Sequence, residues 1–253
     1  MFRMILLGVG TAVPDTDREN THMVWDSPSG LLLVDAGGST YQRLLRAGLD
    51  PLRLRGVLLT HVHADHINGF TVLLFQLSLV GYPDTLRVYG NAPTLALVQR
   101  VVAAFELGAH QVAVEWVEVE PGQEVPIGDP DYRLTTAQTA HSAPGLGLRF
   151  EDRRSGRALV YSGDTEPCEA GRQLAQGATV LIHEATTAQP FPGHTTPRQA
   201  GEVAAHAGIK QLALVHFSPR WTMTAAQAIE QVRAGGFTVE AEIGREFGEY
   251  MLN

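Results

Sequence analysis

The chain has one cysteine, Cys168, and one lysine, Lys210, among 253 residues. A single cysteine excludes an intramolecular disulfide framework and is compatible with a reducing compartment. Scarce lysine leaves arginine as the main cation, and the formal net charge is −8. A broad nucleic-acid surface usually makes a domain basic, so this balance argues against one, though a local arginine patch fits. Long apolar runs are lacking too. Nothing approaches the roughly 18 consecutive apolar residues of a membrane span. The opening Met1–Gly8 segment is too short for a signal-peptide core and has no small-residue cleavage site, so it reads as a buried first strand. These absences predict a cytoplasmic protein with no membrane partner.

What is present suits a packed core. Apolar residues make up 44% and charged residues 18%, too few charges for a disordered chain. The length fits one compact α/β enzyme, so a single domain over residues 1–253 is expected. Short apolar runs predict strands over 4–8, 31–35, 56–60, 86–89, 114–119, 133–137, 146–150, 158–162, 180–183 and 212–216. Several are continuous rather than alternating, as in strands covered on both faces. A helical stripe spans 92–107, and Thr196-Pro197-Arg198-Gln199 and Thr224-Ala225-Ala226-Gln227 each read as a capping box. Phe70–Val80 reads as core or as a dimer face. Many strands with several helices suggest two sheets with helices outside.

The strongest signal is His61-Val62-His63-Ala64-Asp65-His66, directly after an apolar run. Gathering three imidazoles and a carboxylate costs desolvation unless a partner offsets it. A divalent metal does so, because neutral imidazole and carboxylate are good ligands. His61 and His63 point the same way from an extended segment, and Asp65 and His66 open the following turn. His141, Asp164 and His216 each follow another probable strand. Alone, each histidine reads as a surface or capping residue; the coincidence favours ligation.

With these residues the chain resembles the metallo-β-lactamase superfamily. The resemblance implies an αββα sandwich of two mixed sheets with helices on the outer faces. It also implies two divalent ions. His61, His63 and His141 would hold one, Asp65, His66 and His216 the other, with Asp164 bridging them. Nitrogen and oxygen donors suit Zn2+, and Mn2+ or Fe2+ also fit. Further motifs resemble the ribonuclease Z group: Leu7–Pro14, Ser162–Cys168, His183–Thr186, Gly193–Thr196 and His216–Arg220. That group usually carries an extended tRNA-gripping arm. Here only Glu151–Arg157 lies at the expected place, and it reads as a tight hairpin.

The resemblance implies a hydrolase in which a hydroxide between the metals attacks phosphorus and Asp65 accepts its proton. His194, just ahead of the helix capped by Thr196, is the candidate acid, oriented by Glu184. Thr186 and Arg220 are candidate phosphate contacts, and Asn20 a support from the first loop. His22, His110, His183 and His206 read as structural. The missing arm and the acidic charge put small phosphoesters ahead of precursor tRNA, with ribonuclease Z-type cleavage the alternative. Lactone, carboxyl-ester or sulfate-ester hydrolysis on the same ligands, or a non-catalytic metal-binding role, stay open. The resemblance further implies a homodimer.

Overall fold

The computed structural model describes residues 2–110 and 112–252. It divides into two compact units. The first is the chain up to Val119 with Glu246–Met251, and the second is Glu120–Arg245.

The first unit is built on a seven-stranded sheet. Its strands are β1 (Arg3–Gly8), β2 (His22–Ser27), β3 (Gly30–Val34), β4 (Leu54–Leu58), β5 (Leu86–Gly90), β6 (Val114–Glu118) and the C-terminal β13 (Glu249–Met251), in the order β13-β1-β2-β3-β4-β5-β6. β13, β1, β2 and β3 pair antiparallel, and β3 to β6 pair parallel. Helices α1 (Thr40–Arg46), α2 (Ala64–Ile67), α3 (Phe70–Leu79) and α4 (Ala92–Ala104) connect them. Phe70, Leu73, Leu74 and Leu77 of α3 and Leu95, Val98 and Val102 of α4 join Ile5, Leu7, Leu31, Leu33, Val57 and Val88 in one apolar core. The alternate residues Met4, Leu6, Leu32 and Val34 are buried as well. The strands are thus covered on both faces, which is why their sequences run apolar without alternation. On its other side α3 leaves Val72, Phe75 and Leu79 exposed, so this segment is partly core and partly surface.

The second unit is built on a six-stranded sheet. Its strands are β7 (Tyr132–Gln138), β8 (Leu146–Asp152), β9 (Ala158–Tyr161), β10 (Val180–Glu184), β11 (Gln211–Val215) and β12 (Glu240–Ile243), in the order β12-β11-β10-β9-β8-β7. β7 and β8, and β8 and β9, pair antiparallel, while β9 to β12 run parallel. β7, β9, β10 and β11 therefore point the same way and end at one edge of the sheet. Helices α5 (Glu169–Ala175), α6 (Pro197–Ala207) and α7 (Ala225–Ala234) complete it. Both expected capping boxes form, at Thr196 with Gln199 and at Thr224 with Gln227.

Some elements differ from expectation. α4 stops at Ala104 rather than at residue 107, because Glu106 takes a left-handed φ of 50° that ends a helix. β2, β12 and β13 were not anticipated. β2 carries His22, Asp26 and Ser27 among its apolar residues, and Glu-Ala-Glu-Ile and Glu-Tyr-Met are short edge strands with little apolar pattern. Between β8 and β9 the chain turns at once. Asp152 N–H donates to Arg157 O (3.0 Å) and Gly156 N–H to Asp152 O (2.9 Å). Arg153 pairs with Glu124 and Arg154 with Asp131, so these two arginines are already engaged. No described helix is long and apolar enough to cross a membrane.

Candidate metal centre

In the first unit the candidate residues follow parallel strands. β3 delivers Asp35 and β4 delivers His61, while His63 caps α2 and Asp65 and His66 lie within it. Asp35 is fully buried with φ at 61°, an uncommon conformation for a residue with a Cβ. Its carboxylate accepts from Thr60 N–H (2.7 Å), from Thr60 Oγ1 (2.9 Å) and from His66 Nδ1 (2.7 Å). A carboxylate only accepts, so Nδ1 of His66 holds the proton and Nε2 keeps its lone pair. Thr60 has given its one proton to Asp35, so its oxygen accepts from His61 Nδ1 at 3.0 Å. His61 Nε2 is likewise left as a lone-pair nitrogen. It lies 3.0 Å from His63 Nδ1, and His66 Nε2 lies 3.4 Å from Asp65 Oδ2. Gly37 makes the close approach of this loop possible, since a Cβ there would stand 2.2 Å from the Asp65 carbonyl oxygen. Asn20 is buried, donates to Thr11 O (2.6 Å) and borders the same glycine.

In the second unit four strand ends carry further candidate residues. His141 follows β7, Asp164 follows β9, Glu184 ends β10 and His216 follows β11 with φ at 63°. Glu184 is fully buried and accepts from Thr165 N–H (2.9 Å), His194 Nδ1 (2.9 Å), Thr186 N–H (3.0 Å) and Thr186 Oγ1 (2.6 Å). Thr186 in turn accepts from His216 Nδ1 at 2.7 Å. Its hydroxyl, a candidate phosphate contact from sequence, thus joins Glu184 to His216. His141 Nδ1 donates to Gly193 O (2.7 Å), which fixes its Nε2 as the lone-pair atom. His216 Nε2 lies 3.2 Å from Asp164 Oδ2. Ligand atoms of His141, Asp164 and His194 lie within 4.8 Å of one another, as do those of Glu184, His194 and His216. Arg220 is exposed in the turn after β11.

The donor chemistry fits divalent ions in both units. Metal-bound histidines typically give their second nitrogen to a carboxylate, carbonyl or hydroxyl, which sets the tautomer and the ring's orientation. His61, His66, His141 and His216 are all held in this way. Sequence reading missed Asp35, Thr60 and Thr165. The available signal was a carboxylate directly after the apolar run Leu31–Val34. The other histidines divide differently. His22 and His183 are buried, and each Nδ1 meets only a backbone carbonyl oxygen, of Asn20 and Glu184, at 2.8 Å. Burial pushes the His22 imidazole down to about 4 and lowers that of His183.

A model of the β-lactamase superfamily domain matches residues 31–217. The chain belongs to the β-lactamase superfamily. Within it, the ribonuclease Z of Synechococcus sp. (strain CC9311) is 30% identical, over 87% of this chain and 88% of that protein. The ribonuclease Z of Methanothermobacter thermautotrophicus is 28% identical over 88% and 89%. These relatives place the chain in the ribonuclease Z-like branch. The Synechococcus alignment runs over 281 positions, more than the 253 residues of this chain, so that relative has insertions this chain lacks. The structure of the metallo-β-lactamase-fold protein YhfI from Bacillus subtilis superimposes with a TM-score of 0.85 at 21% identity, covering 98% of each chain. The expected fold class is therefore the one found: two mixed sheets with helices in the metallo-β-lactamase fold. As a member of this superfamily the protein is a metal-dependent hydrolase.

Proposed function

We propose that the chain is a phosphodiesterase whose two divalent ions are held by His61, His63, Asp65, His66, His141, Asp164 and His216. The reading treats both units as one working domain. It is carried by the braced histidines, each with Nδ1 committed and Nε2 left for an ion. Zinc is the ion such donors suit best. When bound, paired ions lower the pKa of water, clamp phosphoryl oxygens and stabilise the charge of an in-line displacement. The protein's own groups supply the rest. Asp65 accepts the nucleophile's proton. His194, whose side chain is 18% exposed, protonates the leaving oxygen through Nε2, since Glu184 holds the proton on Nδ1. Arg220 contacts the phosphate from its exposed turn.

The named relatives favour RNA as substrate, by cleavage of a 3′ trailer from precursor tRNA, over the small phosphoesters expected from sequence. One observation favours the small-ester reading: the immediate β8–β9 turn, with Arg153 and Arg154 already ion-paired, offers little to grip distant phosphates. A homodimer and a cytoplasmic location belong to the proposal; the exposed face of α3 is the candidate contact.

The test uses desalted, zinc-loaded protein. Elemental analysis should approach two equivalents. Turnover is then compared for a precursor tRNA with a 3′ trailer, an aryl phosphodiester, an aryl sulfate and a lactone at one salt concentration. Phosphodiesters should give the largest kcat/KM. Trailer removal at the junction ahead of the aryl diester assigns RNA, and the reverse order assigns small esters. Preference for the lactone or sulfate, or a ceiling of one equivalent with full activity, would falsify the reading.

A further inference from the structure

Pro190-Phe191-Pro192-Gly193-His194 leads into the proposed acid, and its aromatic residue is 59% exposed. A single exposed phenylalanine is ordinary on a surface. This one is held in place. His194 N–H donates to Phe191 O at 3.1 Å, closing a four-residue turn with proline second and a glycine of φ 81° third. That is the signature of a type II turn, in which proline presets its own φ and glycine supplies the positive one. The same turn accepts His141 Nδ1 at the Gly193 carbonyl (2.7 Å). The phenyl ring lies 25° from parallel to the His194 ring, their centroids 6.4 Å apart. One rigid turn thus positions an exposed aromatic face, the acid and a metal ligand together.

Phe191 and His194 line an open cleft of about 490 Å³, with Glu166, Glu202 and Arg172 also on its walls. Ligand sites commonly span roughly 300–1,000 Å³. Two carboxylates against one guanidinium make this cleft unsuited to a second phosphate. They suit an uncharged planar group with polar edges.

We infer that Phe191 is a stacking platform for the nucleobase on the leaving-group side of the substrate. The assignment rests on the phosphodiesterase reading and narrows it. The ester oxygen protonated by His194 would belong to a nucleoside whose base lies over Phe191. Sequence-tolerant stacking of this kind is general, because every base has a π face.

The test is calorimetry on the zinc-loaded full chain, with adenosine 5′-monophosphate and ribose 5-phosphate as ligands. The two share a phosphate and a sugar and differ in the base. The wild type should bind the nucleotide about tenfold more tightly, a typical effect of one stacked base. Phe191→Ala should remove that preference while moving the Kd of ribose 5-phosphate by less than about twofold. Phe191→Leu should also lose it and Phe191→Trp should keep it, because the ring rather than apolar area is the requirement. Should the alanine variant misfold by circular dichroism, the leucine and tryptophan variants decide alone. Equal binding of both ligands by the wild type, or full preference in the leucine variant, overturns the assignment. Binding is read without turnover. A ring-dependent preference in a protein that hydrolyses no phosphodiester therefore sinks the proposed activity and leaves the platform standing.

Discussion

Asp35 follows β3 in the first unit and Glu184 ends β10 in the second, and each is a buried carboxylate tied to a threonine hydroxyl and, directly or through it, to two histidines. Asp35 takes the amide and hydroxyl of Thr60; Glu184 takes those of Thr186. The threonine oxygen then accepts from His61 in one unit and His216 in the other. A second histidine binds the carboxylate directly, His66 to Asp35 and His194 to Glu184. Glu184 also takes the amide of Thr165, and the directly bound histidines differ in exposure. The side chain of His66 is 1% exposed and that of His194 is 18% exposed. His66 sits within α2, while His194 projects from a turn. Under the proposed function, the same brace would serve a ligand that must not move and a histidine that must reach a substrate.

If that contrast is right, the largest effect comes from the exposed member. His194→Ala should slow esters with alkyl leaving groups by about 10²–10⁴-fold and esters with nitrophenolate leaving groups by less than about tenfold. Only the poor leaving group needs a proton in the transition state. Rates for the two substrate classes on the same variant check this, and an equal loss in both removes His194 from the acid role.

A smaller effect should separate the carboxylates themselves. Asp35→Asn places an amide among donors from Thr60 and His66, so one N–H must face another. Metal affinity should drop about 10–100-fold, the usual cost of losing a partner behind a ligand. Glu184→Gln should weaken metal binding too, through Thr186 and His216. It should also steepen the dependence of rate on leaving group, because His194 loses its orientation. Chelator competition and a leaving-group series measure both quantities. Identical behaviour of the two variants in both assays would break the comparison.

Much of this arrangement was legible in the sequence. His61, His141, Asp164 and His216 each stand after a readable apolar run, which is enough to mark them as candidate ligands. The capping boxes at Thr196 and Thr224 are local hydrogen-bond patterns, so they too were visible. The braces were not. Asp35 lies 25 residues before Thr60 and 31 before His66, so its role depends on parallel pairing of β3 with β4. The commitment of the Thr186 hydroxyl to Glu184 and His216 was not legible either, because sequence says nothing about which way a hydroxyl points. β12 and β13 escaped because short edge strands gain their place from neighbours rather than from pattern.

The smallest effect on catalysis, and the sharpest control, comes from a buried histidine outside the proposed ligand set. His22 in the first unit is buried like His66, yet its Nδ1 meets only the Asn20 carbonyl oxygen. Burial disfavours the charged ring and holds its pKa near about 4. The unfolded chain titrates this group near about 6.5, so between those values the unfolded state binds more protons. The stability that neutral His22 contributes is therefore complete above roughly pH 6.5 and is lost as pH falls toward about 4. From pH 7 to pH 5 the linked loss is about 2 kcal/mol. Urea unfolding of the wild type and of His22→Gln at both pH values isolates it, since glutamine does not titrate. The variant should lose about 2 kcal/mol less over that interval, while its metal content and its rate on an aryl diester match the wild type. A variant that loses metal along with His22 would mean that this buried histidine supports the metal site and is not merely structural.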